Sequence, residues 1–392
     1  MRLIFLYVQH RHGFYFAERV REEGYFHLIR RMVETGIVDE AVILIESGQE
    51  GRVDYGHGMH CLIGSDIGRL LQAAEPGDVI WARGGWRSWF TPLQEAGRDH
   101  WLMFYAANTD RWKWPIWDVI LDDCHPSSVI PAKAGIQSVP FVDPAGRIHV
   151  DFRKPINETL FCFRREPCAV SRAPSFDLCI GASRVHDRKG QWRAINAMIA
   201  YKQVYGRDLT AVLPGPWSHG TETSRIEAKI VEHNLLVRIT GELSRKELCD
   251  TFNRSRVFAH LGSHGQGDRG PMEAMACGCP ILIGFPRYHA PWVLEAPFCH
   301  AASNPDSPAG VAGAIRQMLT IQHAQRRQIA EYCTAQCGID AVGIPAMRRL
   351  FSAFTAIGRP DRAALAEALL CPSRPCCPSR PSLSSLPLEE AL

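Results

Sequence analysis

No apolar run in this 392-residue chain approaches the roughly 20 residues that a bilayer-spanning helix needs. The opening MRLIFLYV is too short, and comes too early, to serve as a signal peptide. The expectation is a cytoplasmic protein. An excess of one charge is missing as well: 44 Lys and Arg against 41 Asp and Glu leave a formal net charge of +3, too little for this length to point to nucleic acid or to a charged membrane surface. The close cysteine pairs Cys277 and Cys279, Cys333 and Cys337, and Cys376 and Cys377 lack the C-x2-C spacing of a zinc site, so no metal is expected. The 14 cysteines are scattered, and Cys162, Cys179 and Cys279 sit inside apolar, strand-like runs, which favours buried free thiols over a disulfide scaffold. Neither a Ser-His-Asp order nor a nucleophile elbow is found.

What is present is enough apolar sequence to build two cores. Apolar residues make up 46% and charged residues 22%, and the length suits two domains of roughly 150 to 200 residues. Short apolar runs at 2–8, 41–47, 78–84, 100–106 and 117–123 read as strands. The stretch ERVREEGYFHLIRRMVETG between the first two has helical spacing and finishes on Gly36, a helix stop. A second series follows at 176–182, 208–215, 235–241, 256–262 and 279–284, again with helical patterns between. Strand-helix alternation implies parallel sheets covered by helices. A linker is expected near 154–175, a loop insertion at 124–140, and a disordered Pro- and Ser-rich tail at 371–392, where CPSRP occurs twice.

Open α/β domains take ligands outside the carboxyl ends of their strands. The stretch GQGDRGPMEAMACGCP, residues 265–280, lies at such an end and places Gly265, Gly267 and Gly270 in a G-x-G-x-x-G spacing. A dinucleotide fingerprint opens the first unit of its domain and has an acidic residue ending the next strand. This loop follows the fourth strand, and the next strand runs into IGFPRYHA, so the spacing is weak evidence for NAD. A helix starting near Pro271 would instead offer free N–H groups to a phosphate, with Glu273 in its first turn accepting from both ribose hydroxyls. Upstream, in ASRVHDRKG, Arg184 and Lys189 precede a helix at the same edge and would neutralise a departing diphosphate.

These segments, SRVHDRKG, LPG, VRITGELSRKELCDTFNRSRVFAHLGS and GPMEAMACGCPILIG, resemble the nucleotide-sugar half of family 4 glycosyltransferases over about 175–320. DFRKPINETLF (151–161) resembles their interdomain stretch. The resemblance implies an α/β GT-B fold, with two Rossmann-like domains whose parallel sheets face across a cleft. It implies Arg184 and Lys189 on the donor diphosphate, Glu273 on the ribose, no metal and no further cofactor, and transfer with retained anomeric configuration. The family pattern has another glutamate eight residues before Glu273, where this chain has Gly265, or His264 with a one-residue gap. Where the family often has adjacent glycines in its first loop, QHRHGFYF carries only Gly13.

The expected layout is an acceptor domain over 1–160, a nucleotide-sugar domain over 161–340 and helices over 341–370 packing back on the first domain. The tryptophans from Trp81 to Trp117 form either an acceptor groove or core packing. Histidines 10, 12, 57, 60 and 125 fall in loops that could border the cleft. The reaction expected is transfer of a sugar from a nucleotide diphosphate sugar to a hydroxyl of a glycan or lipid-linked acceptor, the latter bringing peripheral membrane contact. The alternatives are a non-catalytic nucleotide-sugar-binding protein and an NAD-dependent oxidoreductase.

Overall fold

The computed structural model describes residues 1–84, 86–105, 113–122, 140–164, 176–181, 189–216, 221–263, 269–358 and 360–370. Among them are two sheets. The first contains β1 (Arg2–Gln9), β2 (Glu40–Glu46), β3 (Gly51–Gly56), β4 (Met59–Gly64), β5 (Val79–Arg83), β6 (Trp101–Tyr105), β7 (Val119–Asp122), β8 (Phe141–Val142) and β9 (Ile148–Asp151), in the order β3-β4-β2-β1-β5-β6-β7-β9-β8. The second contains β10 (Phe176–Ile180), β11 (Thr210–Pro214), β12 (Leu236–Gly241), β13 (Ser255–His260), β14 (Ile281–Ile283) and β15 (Cys299–Ala301), all parallel, in the order β12-β11-β10-β13-β14-β15.

The apolar runs in the middle of each sheet become strands because both of their faces are covered, so every position must be apolar; the edge strand β12, LVRITG, is partly exposed. In β1, Leu3 and Phe5 join one buried cluster while Ile4 and Leu6 join another, the two-residue alternation of a strand with a core on each side. Likewise Leu178 and Ile180 of β10 face the helices Gln191–Tyr205 and Pro308–Met318, while Cys179 faces Arg245–Arg254, Arg269–Ala276 and His323–Cys337. The helices Ile344–Ile357 and Arg362–Leu370 bury Met347, Leu350, Phe351, Phe354, Leu365 and Leu369 in the first sheet's cluster. Phe354 stacks on Trp101 with ring centroids 4.7 Å apart, and Arg362 Nε donates to Asp118 Oδ1 at 2.7 Å.

The first sheet is not wholly parallel. β3 and β8 run antiparallel to β4 and β9. The sequence hides these edges because β3, GRVDYG, is mostly exposed and carries too few apolar residues to read as a strand, and β8 has only two residues. The turn from β3 to β4 takes Gly56, His57 and Gly58 all to positive φ. The single long helix expected before Gly36 is also divided. Gly13–Arg19 and a 3₁₀ turn Val20–Glu22 precede Gly24–Glu34, with Glu23 extended between them. The cause is tertiary: a Cβ on Gly24 would lie 2.1 Å from the carbonyl oxygen of Pro155, so the segment that leaves the first sheet presses on this backbone. Among the described residues no helix is long and apolar enough to cross a membrane.

Candidate functional site

Numbered within its own sheet, the second domain has strand order 3-2-1-4-5-6, the doubly wound order whose switch point lies between the first and fourth strands, here β10 and β13. Connections leaving these two strands go to opposite faces and open a crevice at their carboxyl ends. The chain is packed there too closely for side chains. Gly190, at φ +81, would place a Cβ 2.2 Å from the carbonyl carbon of Leu261 and 2.5 Å from the nitrogen of Gly262. Gly284, at the end of β14, would place one 2.8 Å from the Cα of Leu261. Lys189, half-buried, immediately precedes Gly190, which caps the helix Gln191–Tyr205. Backbone contact therefore pins Gly190, next to the lysine, against Leu261 and Gly262.

On the far side of that loop begins the helix Arg269–Ala276, two residues before the expected start at Pro271. Gly270 sits where a Cβ would come 3.3 Å from the ring of Phe258, and Pro271 is buried. Glu273 is only 4% exposed, and its carboxylate is held end-on by Arg245, with Nη2 2.8 Å from Oε1 and Nη1 3.2 Å from Oε2. Ser244 and Glu247 form a capping box that makes Arg245 the first residue of the helix Arg245–Arg254, and the guanidinium also lies over Phe161, 5.2 Å from the ring centroid. An ionised carboxylate offers about four lone-pair directions. A bidentate arginine uses two, leaving the others for hydroxyl donors.

The first sheet has its own switch point, between β1 and β5. Arg83 closes β5 there, its guanidinium 5.1 Å from the ring centroid of Tyr7 and 5.2 Å from that of Tyr25. The buried Glu23 stands 3.7 Å from Arg83 Nη2 and accepts a hydrogen bond from Arg269 of the second domain. A second contact between the domains, Arg19 Nη1 to Glu242 Oε1 at 3.0 Å, is exposed. At the ends of β1 and β2 lies a cavity of about 510 Å³ lined by Gln9, His10, Arg11, Glu46, Ser47 and Ser65.

Of the residues singled out from the sequence, the structure brings Lys189, Gly270, Pro271 and Glu273 around the carboxyl end of β13. Arg184, His264, Gly265 and Gly267 lie outside the described residues. Gly13 is closely packed within its own domain: its N–H donates to Ser47 Oγ at 3.1 Å, and a Cβ would come 2.5 Å from Ile63 Cγ2.

The described tryptophans of this run belong to the core. Trp81, Trp89, Trp101 and Trp117 are fully buried in the two clusters of the first sheet, and Trp86 and Trp114 pack against one of them; Trp112 is outside the described residues. His57 and His60 are far from any cleft, since they sit at the amino end of β4, where His60 Nδ1 meets Glu40 Oε1 at 3.3 Å. His10 and His12 do follow the carboxyl end of β1, and His125 is outside the described residues. Of the three cysteines expected to be buried, Cys179 and Cys279 are, but Cys162 is exposed, because the stretch around it joins the domains.

Arg245, Glu23, Arg83 and Arg269 were not anticipated. The Ser-x-x-Glu box at 244–247 marks the helix start that carries Arg245. Nothing local links it to Glu273, or Glu23 to Arg269. Among the described residues no group of three His, Cys, Asp or Glu side chains is arranged to hold a metal ion.

Residues 176–336 match the family model described as glycosyl transferases group 1. No curated protein matches the chain by sequence. Solved structures share the fold across nearly the whole chain. The sucrose-phosphate synthase of Thermosynechococcus elongatus is 15% identical, covers 91% of this chain and 100% of its own, and superposes with a TM-score of 0.63. The α,α-trehalose 6-phosphate synthase of Burkholderia multivorans is 14% identical, with 96% and 99% coverage and a TM-score of 0.61. HepE of Anabaena, in complex with UDP, is 14% identical, with 91% and 100% coverage and a TM-score of 0.59. The architecture is that of the GT-B glycosyltransferases: two α/β domains with largely parallel sheets.

Proposed function

We propose that this protein transfers a sugar from a nucleotide diphosphate sugar to a hydroxyl of a glycan or lipid-linked acceptor, with retention of anomeric configuration and without a metal ion. In this reading residues 1–160 receive the acceptor and 161–340 the donor. The carrying observation is the second switch point, inside the matched region, where Lys189, next to the pinned Gly190, and the helix bearing Glu273 flank the end of one strand.

Departure of a nucleoside diphosphate leaves negative charge on the phosphate oxygens. Lys189, together with Arg184, would neutralise it, and the N-terminus of the helix Arg269–Ala276 would add amide donors. Glu273, held by Arg245, would accept from the ribose hydroxyls and so fix the nucleotide relative to the breaking bond. The acceptor hydroxyl would then approach the anomeric carbon from the face the diphosphate leaves, with no protein nucleophile. The UDP bound to HepE agrees with such a donor.

A second reading, a nucleotide-sugar-binding protein without transfer, draws on Gly265, where the family pattern has a glutamate. A thermal-shift panel of UDP, GDP, ADP and NAD, followed by donor hydrolysis assays on the ligand that binds, separates the readings. Stabilisation by one nucleoside diphosphate with slow sugar release supports transfer, and binding without turnover supports the second reading. Stabilisation by NAD alone rejects both.

A further inference from the structure

The cavity at the carboxyl ends of β1 and β2 has a wall that packing does not explain. Glu46 closes β2 and is only 9% exposed. Its Oε2 accepts from the indole Nε1–H of the fully buried Trp89, which holds the carboxylate in one orientation. Oε1 has no hydrogen-bond partner among the described residues, and Glu46 lines the cavity. A nearly buried carboxylate with half of its accepting capacity unspent is costly unless a donor reaches it, and the cavity is where one can.

His10, which also lines the cavity, supplies the complementary group. Its Nδ1 accepts from the backbone N–H of His12 at 3.2 Å, which assigns the proton of the neutral ring to Nε2. That Nε2–H has no partner among the described residues either, and the ring lies against Phe16 with centroids 4.4 Å apart. The backbone is fixed as well. His10 N–H donates to the carbonyl of Glu46 at 2.9 Å, while Ser47 Oγ accepts from the N–H groups of Gly13 and Gln49 at 3.1 and 3.2 Å and donates to the carbonyl of Arg11 at 3.4 Å. Donor and acceptor are thus in place before a ligand arrives.

An acceptor and a donor on adjoining strand ends match a hydroxyl-bearing ring, whose neighbouring hydroxyls donate and accept in turn. A phosphate or carboxylate would bring like charge to Glu46. Arg11 lines the cavity too, but it is exposed, so its charge is screened far more than that of Glu46. At about 510 Å³ the cavity falls within the roughly 300–1,000 Å³ of small-molecule sites.

We propose that this cavity is a subsite for a neutral sugar ring of the acceptor, in which Glu46 Oε1 accepts from one ring hydroxyl while His10 Nε2–H donates to its neighbour. Calling the ring an acceptor rests on the glycosyl-transfer reading; its binding does not. The loop that carries His10 and Arg11 runs directly into the helix Gly13–Arg19, a span of about 10 Å. Arg19 at the far end of that helix meets Glu242 of the second domain, so the ring is bound one short helix away from the donor domain.

The experiment titrates the full-length chain with the methyl pyranosides of glucose, galactose and mannose, with glucose 6-phosphate and with cyclohexanol, read by saturation-transfer NMR. At least one methyl pyranoside should bind in the millimolar range, and cyclohexanol should not. Glu46→Gln keeps the Trp89 contact through its amide oxygen but loses the charge, and should weaken that pyranoside about tenfold. His10→Phe keeps a ring over Phe16 without a donor and should weaken it severalfold; should Glu46→Gln fail to fold, this variant decides. Overturning results are no pyranoside binding by wild type at high millimolar concentration, an unchanged affinity in a variant that folds, or cyclohexanol bound as well as a pyranoside. Tighter binding of glucose 6-phosphate, strengthened again by Glu46→Gln, overturns it in favour of an anion site. Pyranoside binding by a chain that binds neither UDP, GDP nor ADP leaves the subsite standing and removes the glycosyl-transfer reading, while nucleotide binding without pyranoside binding does the reverse.

Discussion

Arg245 and Glu273, 28 residues apart on different helices, meet as a bidentate ion pair at 2.8 and 3.2 Å, both largely buried. Removing the arginine leaves a carboxylate without its counter-charge in a nearly dry site. Arg245→Ala should therefore lower stability by about 3 kcal/mol, read from urea unfolding. It should also weaken binding of whichever nucleoside diphosphate the ligand panel identifies, because Glu273 loses its orientation. Arg245→Lys, a point charge without the planar fork, should recover only part of either loss. Unchanged unfolding midpoints for Arg245→Ala would show that solvent reaches the carboxylate and the pair is dispensable.

In the proposed reaction Lys189 neutralises the departing diphosphate. Lys189→Ala should reduce kcat for donor hydrolysis by about 10²- to 10³-fold, roughly 3–4 kcal/mol of lost charge stabilisation. Turnover equal to wild type would remove Lys189 from the mechanism.

Gly190 and Gly206 both have positive φ, +81 and +64, at opposite ends of one helix. A methyl group at 206 meets nothing within 4 Å, whereas at 190 it meets the backbone of Leu261 at 2.2 Å. Gly206→Ala should cost about 1 kcal/mol, the strain of a left-handed alanine. Gly190→Ala should cost several kcal/mol on that basis plus overpacking, and it should abolish nucleotide binding by displacing the Lys189 loop. Equal unfolding energies for the two variants would contradict the packing at the switch point.

Glu23 ties the first domain to Arg269 at the start of the helix that bears Glu273. Its side chain is 7% exposed, but Arg83 and Arg269 are 24% and 27% exposed, so solvent discounts the interaction. Glu23→Gln should cost about 1–2 kcal/mol and raise KM for the donor more than it lowers kcat. The reverse split would mean that Glu23 takes part in chemistry rather than in holding the helix.

Asp143 gives an acid-sensitive contact remote from the cleft. Burial would raise its carboxyl, but Arg147, through side chain and backbone, and His149 together hold it down at about 2. A depressed folded-state value stabilises the protein above the unfolded value of about 3.9, and that stability is lost as pH falls toward 2. Some 2 kcal/mol should therefore disappear between about pH 4 and pH 2. Asp143→Asn should be less stable at neutral pH and show a flatter acid limb in thermal denaturation. Parallel acid limbs for wild type and variant would place the sensitivity elsewhere.

The ten strands read from apolar runs all exist, and for the central ones the reason is that a strand buried on both faces must be apolar at every position, which is visible locally. The helix stop at Gly36 and the helix through Glu273 follow equally from short-range chemistry. The exposed β3 was invisible because its pairing with β4, not its composition, makes it a strand. The tryptophan run looked the same as groove or as core, since burial depends on what the chain folds against; helix Ile344–Ile357, more than 240 residues beyond Trp101, supplies one of the covers.

The sequence alone determined the alternation of strands and helices, the helix stop at Gly36 and the placing of Lys189 and Glu273 just before and within helices, all consequences of backbone sterics and of hydrophobic periodicity within a few residues. Only the tertiary structure decided that Glu273 is gripped by Arg245 and that Glu23 holds Arg269 across the domains. Ion pairs of that kind depend on charge and distance in space, and separation along the chain carries no record of either.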